Sequence, residues 1–462
     1  MTRRPDGASG SPEIGTGPEI GTGPDIAAPE AAVEPTVEAP AGLSRRHLLG
    51  AAGVAAGALG VGSVGGFAAG SRAAGASHAS VHDFYGAHQS GILTPQQDHM
   101  HFAAFDVTTA GRDRLIALLQ RWTAAAAELM AGRELGRGTA NAARVAPPDD
   151  SGEALDLPAS ALTITFGFGP GLFGSADAPR FGLQSKRPPQ LIDLPHFPGD
   201  VLEERFAGGD ICVQACANDP QVAVHAIRNL ARIAAGDAAM RWSQLGFGRT
   251  ASTSREQQTP RNLMGFKDGT RNLKAEDTDL VDRWLWSQSG DGQTWMAGGT
   301  YLVTRRVRIL VENWDRTSLA RQEAAVGRAK ASGAPLSGGT EFTAPDFDAR
   351  DANGERLIPT TSHMAMSHPN NNGGVMMLRR GYNYTDGADN QGRLDAGLFF
   401  LAFVRDPRTQ FVPMQERLAT QDPMTIDFLR TTGSGLFAIP AGIPAGTRVG
   451  EGKAFIGEAL FS

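Results

Sequence analysis

An aspartate between glycines is the feature of this sequence with the clearest chemical potential. Asp268 lies in residues 265–272, directly after the apolar pair Leu263 and Met264. Gly269 has no side chain, which permits a sharp turn and lets a bulky planar ligand approach the carboxylate. A carboxylate presented in this way can transfer protons. Because an Asp-Gly pair alone is more often an ordinary turn, the interpretation depends on a partner segment.

That partner segment, residues 358–384, carries histidines and arginines. It contains His363, His368 and the adjacent pair Arg379 and Arg380. A neutral imidazole can bind a metal ion, and a guanidinium can stabilise negative charge that develops during a reaction. Taken singly, a histidine is usually structural and an arginine pair usually lies on a solvated surface. Neither segment by itself establishes a functional site.

The apolar pattern of the first half predicts the elements of one α+β unit. Strands are expected at residues 100–107, 162–169, 210–217 and 241–248, and helices at 111–130 and 220–235. Their order, β-α-β-β-α-β, is that of a ferredoxin-like unit.

The same order returns after Asp268. Strands are expected at residues 300–313, 375–384, 398–405 and 435–439, and helices at 317–331 and 407–419. We therefore predict an α+β fold of two ferredoxin-like units with antiparallel sheets, divided near Ser252.

Composition excludes several functional classes. The 462 residues carry a net charge of only −6, which does not favour nucleic-acid binding.

Cys212 and Cys216 are too few for a disulfide framework. They lie four residues apart on a predicted strand, so their Cα atoms would be about 13 Å apart, beyond disulfide reach. We expect buried free thiols. A metal site among five N-terminal histidines is less expected than scattered surface positions: His78, His82, His88, His99 and His101.

The first 76 residues have the pattern of a leader. Residues 1–43 are of low complexity. Arg45 and Arg46 precede a weakly apolar run, which ends at residues 74–76 in the small-residue pattern of a signal-peptidase site. This pattern is typical of a twin-arginine signal peptide cleaved after Ala76; the alternative is an N-terminal membrane anchor. We expect a leader (1–76), an N-terminal domain (77–252) and a C-terminal domain (253–462).

Seven segments, taken in order, resemble the dye-decolourising peroxidases, a family of haem enzymes, and most of all its exported branch. The resemblance covers residues 80–462, and its most specific motif is the one around Asp268. The matching segments are 85–97, 208–230, 265–272, 299–303, 327–336, 358–380 and 397–407.

The resemblance implies a role for each polar residue of the partner segment. His363 would be the proximal ligand of the haem iron, with His368 as the rival. Asp395 would be the acid that fixes the tautomer of that imidazole. Residues 364–366 depart from the family, which often carries there an arginine that contacts a haem propionate.

On the opposite haem face, the resemblance assigns Asp268 as the proton-transferring acid and Arg379 as the arginine, with Arg380 as the alternative. Arg379 would stabilise negative charge during cleavage of the peroxide bond. Ordinary aspartate titrates near pH ~3.9 and histidine near ~6.5. A carboxylate base therefore predicts activity that persists at mildly acidic pH.

The family implies one haem b per chain, held mainly by the C-terminal unit, with contacts from Phe266, Gly269 and Phe400. Phe399 and Phe403 are further candidates for haem contact, and for all three strand phenylalanines the alternative is a place in the strand core. Hydrogen peroxide would oxidise the haem to a ferryl state, which then oxidises dyes, phenols or other donors. The alternatives are deferrochelatase-type release of iron from haem and haem binding without turnover. The expected partners are hydrogen peroxide, small-molecule electron donors and the twin-arginine export machinery, with assembly into a homo-oligomer left open. The expected location is extracellular, cell-surface or periplasmic.

Overall fold

The computed structural model describes residues 80–139, 144–175 and 177–462. The predicted leader, its twin-arginine motif and cleavage site, and His78 lie outside these residues. Within the described ranges, no helix combines the length and the apolar character needed to span a bilayer.

The N-terminal half contains the predicted β-α-β-β-α-β order. Apolar residues at helical spacing bury one face of the first helix, and Asp219 caps the second by accepting a hydrogen bond from the Gln221 N–H. The elements are β1 (His99–Val107), α1 (Arg112–Met130), β2 (Thr163–Phe168), β3 (Ile211–Ala217), α2 (Pro220–Ile233) and β4 (Ala238–Arg249).

The C-terminal half follows the same order with more interruptions. Its strands are β5 (Thr300–Ile309), β6 (Leu378–Arg379), β7 (Tyr382–Ala388), β8 (Leu394–Val404) and β9 (Leu429–Ile439). Its helices are α3 (Thr278–Trp284), α4 (Val311–Asp315), α5 (Leu319–Val326), α6 (His363–Ser367), α7 (Pro407–Gln410), α8 (Val412–Gln421) and α9 (Pro423–Phe428). The predicted strand at 375–384 is thus two strands, and the predicted helix at 407–419 is two helices.

Both halves have the antiparallel strand order of a ferredoxin-like unit, which confirms the predicted fold class. The N-terminal order is β4-β1-β3-β2, and the C-terminal order is β7-β8-β5-β9. Edge strands of the two sheets also pair, β2 with β9 and β4 with β7. The eight strands therefore form a closed ring, in which β6 lies beside β8 on the line of β7.

An apolar core fills the space between the two sheets. Alternate residues of strands from both halves meet there, including Phe102, Phe399 and Phe437. Cys212 and Cys216 are buried in the same core as free thiols, as predicted. The opposite face of the C-terminal sheet is thus left to form a cavity with the helices and loops that cover it.

Candidate active site

A cavity of about 640 Å³ lies on the outer face of the C-terminal sheet. Val307 of β5, Leu398 and Phe400 of β8, and Leu429 of β9 line it from the sheet side. Helices α6, α8 and α9 and the loop around Asp268 form its other walls. Residues 198–201, from the N-terminal half, complete the lining. The C-terminal unit therefore supplies most of the cavity, as expected.

His363 lines this cavity, and one of its two ring nitrogens is hydrogen-bonded to a carboxylate. It is the first residue of α6, which Ser362 caps by accepting a hydrogen bond from the Ala365 N–H. Its Nδ1 lies 2.7 Å from Oδ2 of Asp422, whose side chain is fully buried. A carboxylate acceptor requires the imidazole proton on Nδ1, which leaves a lone pair on Nε2 for a metal.

Asp422 is itself rigidly held. It caps α9, with Oδ1 accepting from the Met424 N–H at 2.9 Å and Oδ2 accepting from the Thr425 hydroxyl at 2.6 Å. Its carboxylate therefore fixes both the orientation and the tautomer of His363.

The expectation that Asp395 supports His363 is wrong. Asp395 lies on β8, where its Oδ2 accepts a hydrogen bond from Nη2 of Arg306 at 2.9 Å. Arg306 also pairs with Asp386. The side chain of Asp395 thus belongs to an ion-pair cluster outside the cavity lining, and Asp422 occupies the place assigned to it.

Asp268 and Arg379 meet across the cavity lining. Nη1 of Arg379 donates to Oδ1 of Asp268 at 2.9 Å, and Nδ2 of Asn262 donates to Oδ2 at 3.1 Å. The Asp268 side chain is only 16% exposed, so its interactions with neighbouring charges are weakly screened. The geometry brings together the acid and the arginine that the sequence separated by 111 residues.

Asn272, which sequence reasoning passed over, positions Arg379. Its amide accepts from the Arg379 N–H and donates to the Arg379 carbonyl, both at 2.8 Å. Arg380, in contrast, is fully buried away from the cavity lining, where it donates to the Thr94 carbonyl and to Oε1 of Gln97, both at 2.5 Å. Of the two arginines, Arg379 is thus the one that lines the cavity beside Asp268.

His368 also lines the cavity but is poorly suited to bind a metal. Burial, followed by the nearby cations Arg271 and Arg328, lowers its pKa and favours the neutral ring. Its Nδ1 accepts the Asn370 N–H at 3.2 Å, so the ring proton must be on Nε2. A protonated Nε2 donates a hydrogen bond and has no lone pair for a metal.

Some of the phenylalanines and glycines predicted to contact the ligand line the cavity, and others pack within the protein. Phe266 and Phe400 line the cavity, whereas Phe399 and Phe403 lie in the core between the sheets. Gly269 also lines the cavity, with φ of +85°, but a Cβ there would lie 2.8 Å from Cα of Ala251. A glycine is therefore required at 269 by the turn and by packing against the protein itself.

The residues present fit a haem. The cavity joins an apolar sheet wall to an imidazole whose Nε2 has no hydrogen-bond partner within the described ranges, and whose Nδ1 is held by a buried acid. Proximal imidazole with such an acid behind it is a common way to hold haem iron. Among the described residues, no cluster of three metal-ligating side chains offers a different metal site, including around the N-terminal histidines.

Comparison with known proteins gives concordant matches in sequence and structure. A family model for the N-terminal part of Dyp-type peroxidases matches residues 89–248, and a model for the C-terminal part matches 259–444. A dye-decolorizing peroxidase of Thermobifida fusca is 39% identical over 78% of this chain and 82% of its own length. A deferrochelatase of Yersinia pseudotuberculosis is 36% identical over 78% of this chain and 81% of its own. The solved oxyferrous/water mixed complex of DtpA from Streptomyces lividans matches with a TM-score of 0.75 at 40% identity, and covers 84% of this chain and 99% of that one.

Proposed function

Because the chain belongs to the Dyp-type peroxidase family and is a haem peroxidase, we propose that His363 and the Asp268–Arg379 pair carry its reaction. The observation that carries this proposal is the placement of both groups on one cavity. His363 has its Nδ1 on Asp422, and Asp268 is hydrogen-bonded to Arg379. One group is suited to hold iron, and the other is suited to move a proton beside a fixed positive charge.

When bound, the haem supplies the two-electron reduction of hydrogen peroxide and the oxidation of donors. His363 would hold the iron through Nε2, and the hydrogen bond from its Nδ1 to Asp422 keeps Nε2 unprotonated. A carboxylate oxygen of Asp268 accepts a proton from hydrogen peroxide and returns it to the departing oxygen as water forms. Arg379 stabilises the negative charge that develops on that oxygen. The donors are dyes, phenols or similar small molecules.

The choice of iron ligand is tested by a pair of substitutions. We expect His363→Ala to abolish the Soret band of the purified protein, because His368, the other imidazole among the described lining residues, carries its proton on Nε2. His368→Ala should retain a ferric Soret band. Haem content is measured by the pyridine haemochrome assay. Retention of ligated haem in His363→Ala, with its loss in His368→Ala, would reverse the assignment.

Iron release from haem is the alternative reaction, since several matching relatives are deferrochelatases of about 36% identity. Incubation of the protein with haem, without peroxide, separates the two activities. A peroxidase returns the haem intact on extraction and chromatography. Accumulation of metal-free porphyrin in proportion to time and protein would instead support the chelatase.

Export by the twin-arginine route completes the proposal, supported by the paired Arg45 and Arg46 before a weakly apolar run. We expect the exported protein to begin at Ser77. The double change Arg45→Lys and Arg46→Lys should leave unprocessed protein in the cytoplasm. N-terminal sequencing and fractionation measure this, and unchanged export of the double variant would contradict it.

A further inference from the structure

Three of the six lysine and arginine side chains that line the cavity form ion pairs with carboxylates. Arg379 pairs with Asp268, Arg305 with Asp200, and Lys267 with Glu341 at 3.5 Å. The carboxylate in each pair partly offsets the charge of its partner, so the paired side chain attracts the carboxylate of a bound ligand less strongly than an unpaired cation would.

Arg271 is different. It lines the cavity and is exposed. Within the described residues it has neither a hydrogen bond nor an ion pair. Two other cavity arginines also lack a carboxylate at ion-pair distance, but their guanidinium groups donate to backbone carbonyls. Arg328 donates to Gly333 and Glu341, and Arg430 donates to Ile426 and Leu429.

The position of Arg271 places it where the two functional segments meet. It follows Asp268 by three residues, and His368, which also lines the cavity, follows His363 by five. Arg271 is close enough to His368 to lower its pKa, together with Arg328. His368 is thus a neutral ring whose Nε2–H is a hydrogen-bond donor, because its Nδ1 accepts from the Asn370 N–H.

A haem placed between His363 and Asp268 brings two propionate carboxylates, and the free cation and the free donor suit such an anion. Charge-assisted hydrogen bonds from arginine to carboxylate are among the stronger polar contacts in proteins. Ala365 and its neighbours offer no arginine at the place where the family often carries one.

We propose that Arg271 and His368, which both line the cavity, bind a haem propionate, so that Arg271 replaces the arginine that is missing after His363. This rests on the proposed haem site, and it deepens that site by assigning the edge at which the propionates lie. A haem bound with its propionates at Arg271 would leave its apolar part to pack against the lining residues Leu398 and Phe400.

The test compares haem with its dimethyl ester, which lacks the propionate charges. The rate of transfer to excess apomyoglobin is measured for wild type and Arg271→Ala. In wild type, esterification should speed release by about 10- to 100-fold, the factor expected for loss of a charge-assisted contact. Arg271→Ala should release haem at nearly the rate at which it releases the ester. Arg271→Lys, which keeps the charge, should recover part of the difference.

Two matched variants define the controls. Arg316→Ala removes an exposed arginine that does not line the cavity, and should behave as wild type. Arg430→Ala removes a rival cation of the same cavity. Equal release from wild type and Arg271→Ala, or a loss of discrimination in Arg430→Ala alone, would overturn the proposal. In either case an unchanged Soret band would leave the His363 site standing, whereas wild type that binds no haem would refute both.

Discussion

At the scale of single residues, local sequence motifs identified the candidate reactive side chains but not the residues that hold them in place. The candidates Asp268, Arg379 and His363 lie in short segments whose residue types indicate a functional site. Asp422 lies 59 residues from His363, and Asn272 lies 107 from Arg379, so their roles depend on tertiary contacts. The Asp-Pro pair at 422 does signal a helix N-cap. Nothing in the sequence indicates that the same carboxylate also accepts from an imidazole.

Replacement of Asp422 tests the corrected assignment. Asp422→Asn keeps the shape and removes the charge that makes His363 a stronger ligand. We expect a more positive reduction potential of the bound iron and a haem affinity lower by about 10- to 100-fold. Potential is measured by spectroelectrochemistry. Asp395→Asn is the control, because Asp395 contacts Arg306 instead. A shifted potential in Asp395→Asn, with none in Asp422→Asn, would restore the original expectation.

At the scale of elements, the periodicity of the chain predicted most strands but missed their breaks. The strand expected at 375–384 is interrupted at Arg380 and Gly381. A Cβ on Gly381 would lie 2.8 Å from Oγ1 of Thr250. The helix expected at 407–419 ends at Gln410, and a new helix starts with Pro413 in its first turn. Pro413 could have indicated the helix break from the sequence alone, whereas the close approach of Gly381 to Thr250 could not.

Residues 198–201 of the N-terminal half, which line the cavity, are held against the C-terminal sheet by a buried ion pair. The N–H groups of Val201 and Glu203 donate to carbonyls of β9. Asp200 pairs with Arg305, and both side chains are almost completely buried.

Because Asp200→Asn would leave the buried Arg305 charge without a carboxylate partner, we expect a loss of about 3–5 kcal/mol in the free energy of unfolding. Chemical denaturation measures it. Asp193→Asn breaks an exposed pair with Arg187 and should cost under about 1 kcal/mol. Similar losses in both variants would contradict this account.

Strand β1 carries a histidine that makes stability depend on pH. Burial lowers the pKa of His101 to about 4. The unfolded chain therefore takes up this proton first as the pH falls, and the free energy of unfolding decreases between about pH 6.5 and 4. The contribution of His101 reaches at most about 3 kcal/mol.

His101→Leu should flatten that part of the stability curve, measured by urea denaturation at several pH values. His82 and His368, whose pKa values are also lowered, should leave a residual slope. Exposed His196→Leu serves as the control. An unchanged curve for His101→Leu would show that the ring is not buried as described.

At the scale of the whole molecule, the sequence predicted the repeated β-α-β-β-α-β order but not the closure of the eight strands into a ring. The β2–β9 and β4–β7 junctions involve only one and two residue pairs, and neither leaves a sequence pattern. These junctions join the halves that the sequence predicted as domains divided near Ser252. The core between the sheets draws side chains from both halves, so neither sheet can bury its inner face alone.

A closed ring with a shared core predicts cooperative unfolding. We expect one calorimetric transition for residues 77–462, with equal calorimetric and van't Hoff enthalpies. Residues 253–462 expressed alone should expose apolar surface and bind a hydrophobic dye. Two separate transitions, or a stable isolated C-terminal half with native-like secondary structure, would mean that the predicted domains fold independently.

The central claim is that Asp268, beside Arg379, transfers the proton of hydrogen peroxide at a haem held by His363. The most direct measurement is stopped-flow absorption of the haem-bound protein after one equivalent of peroxide, for wild type and Asp268→Asn at mildly acidic pH. We predict rapid conversion of the ferric Soret band in wild type. In Asp268→Asn, conversion should be about 10²- to 10⁴-fold slower, with the resting spectrum and haem content unchanged. Equal rates in the two proteins would contradict the claim.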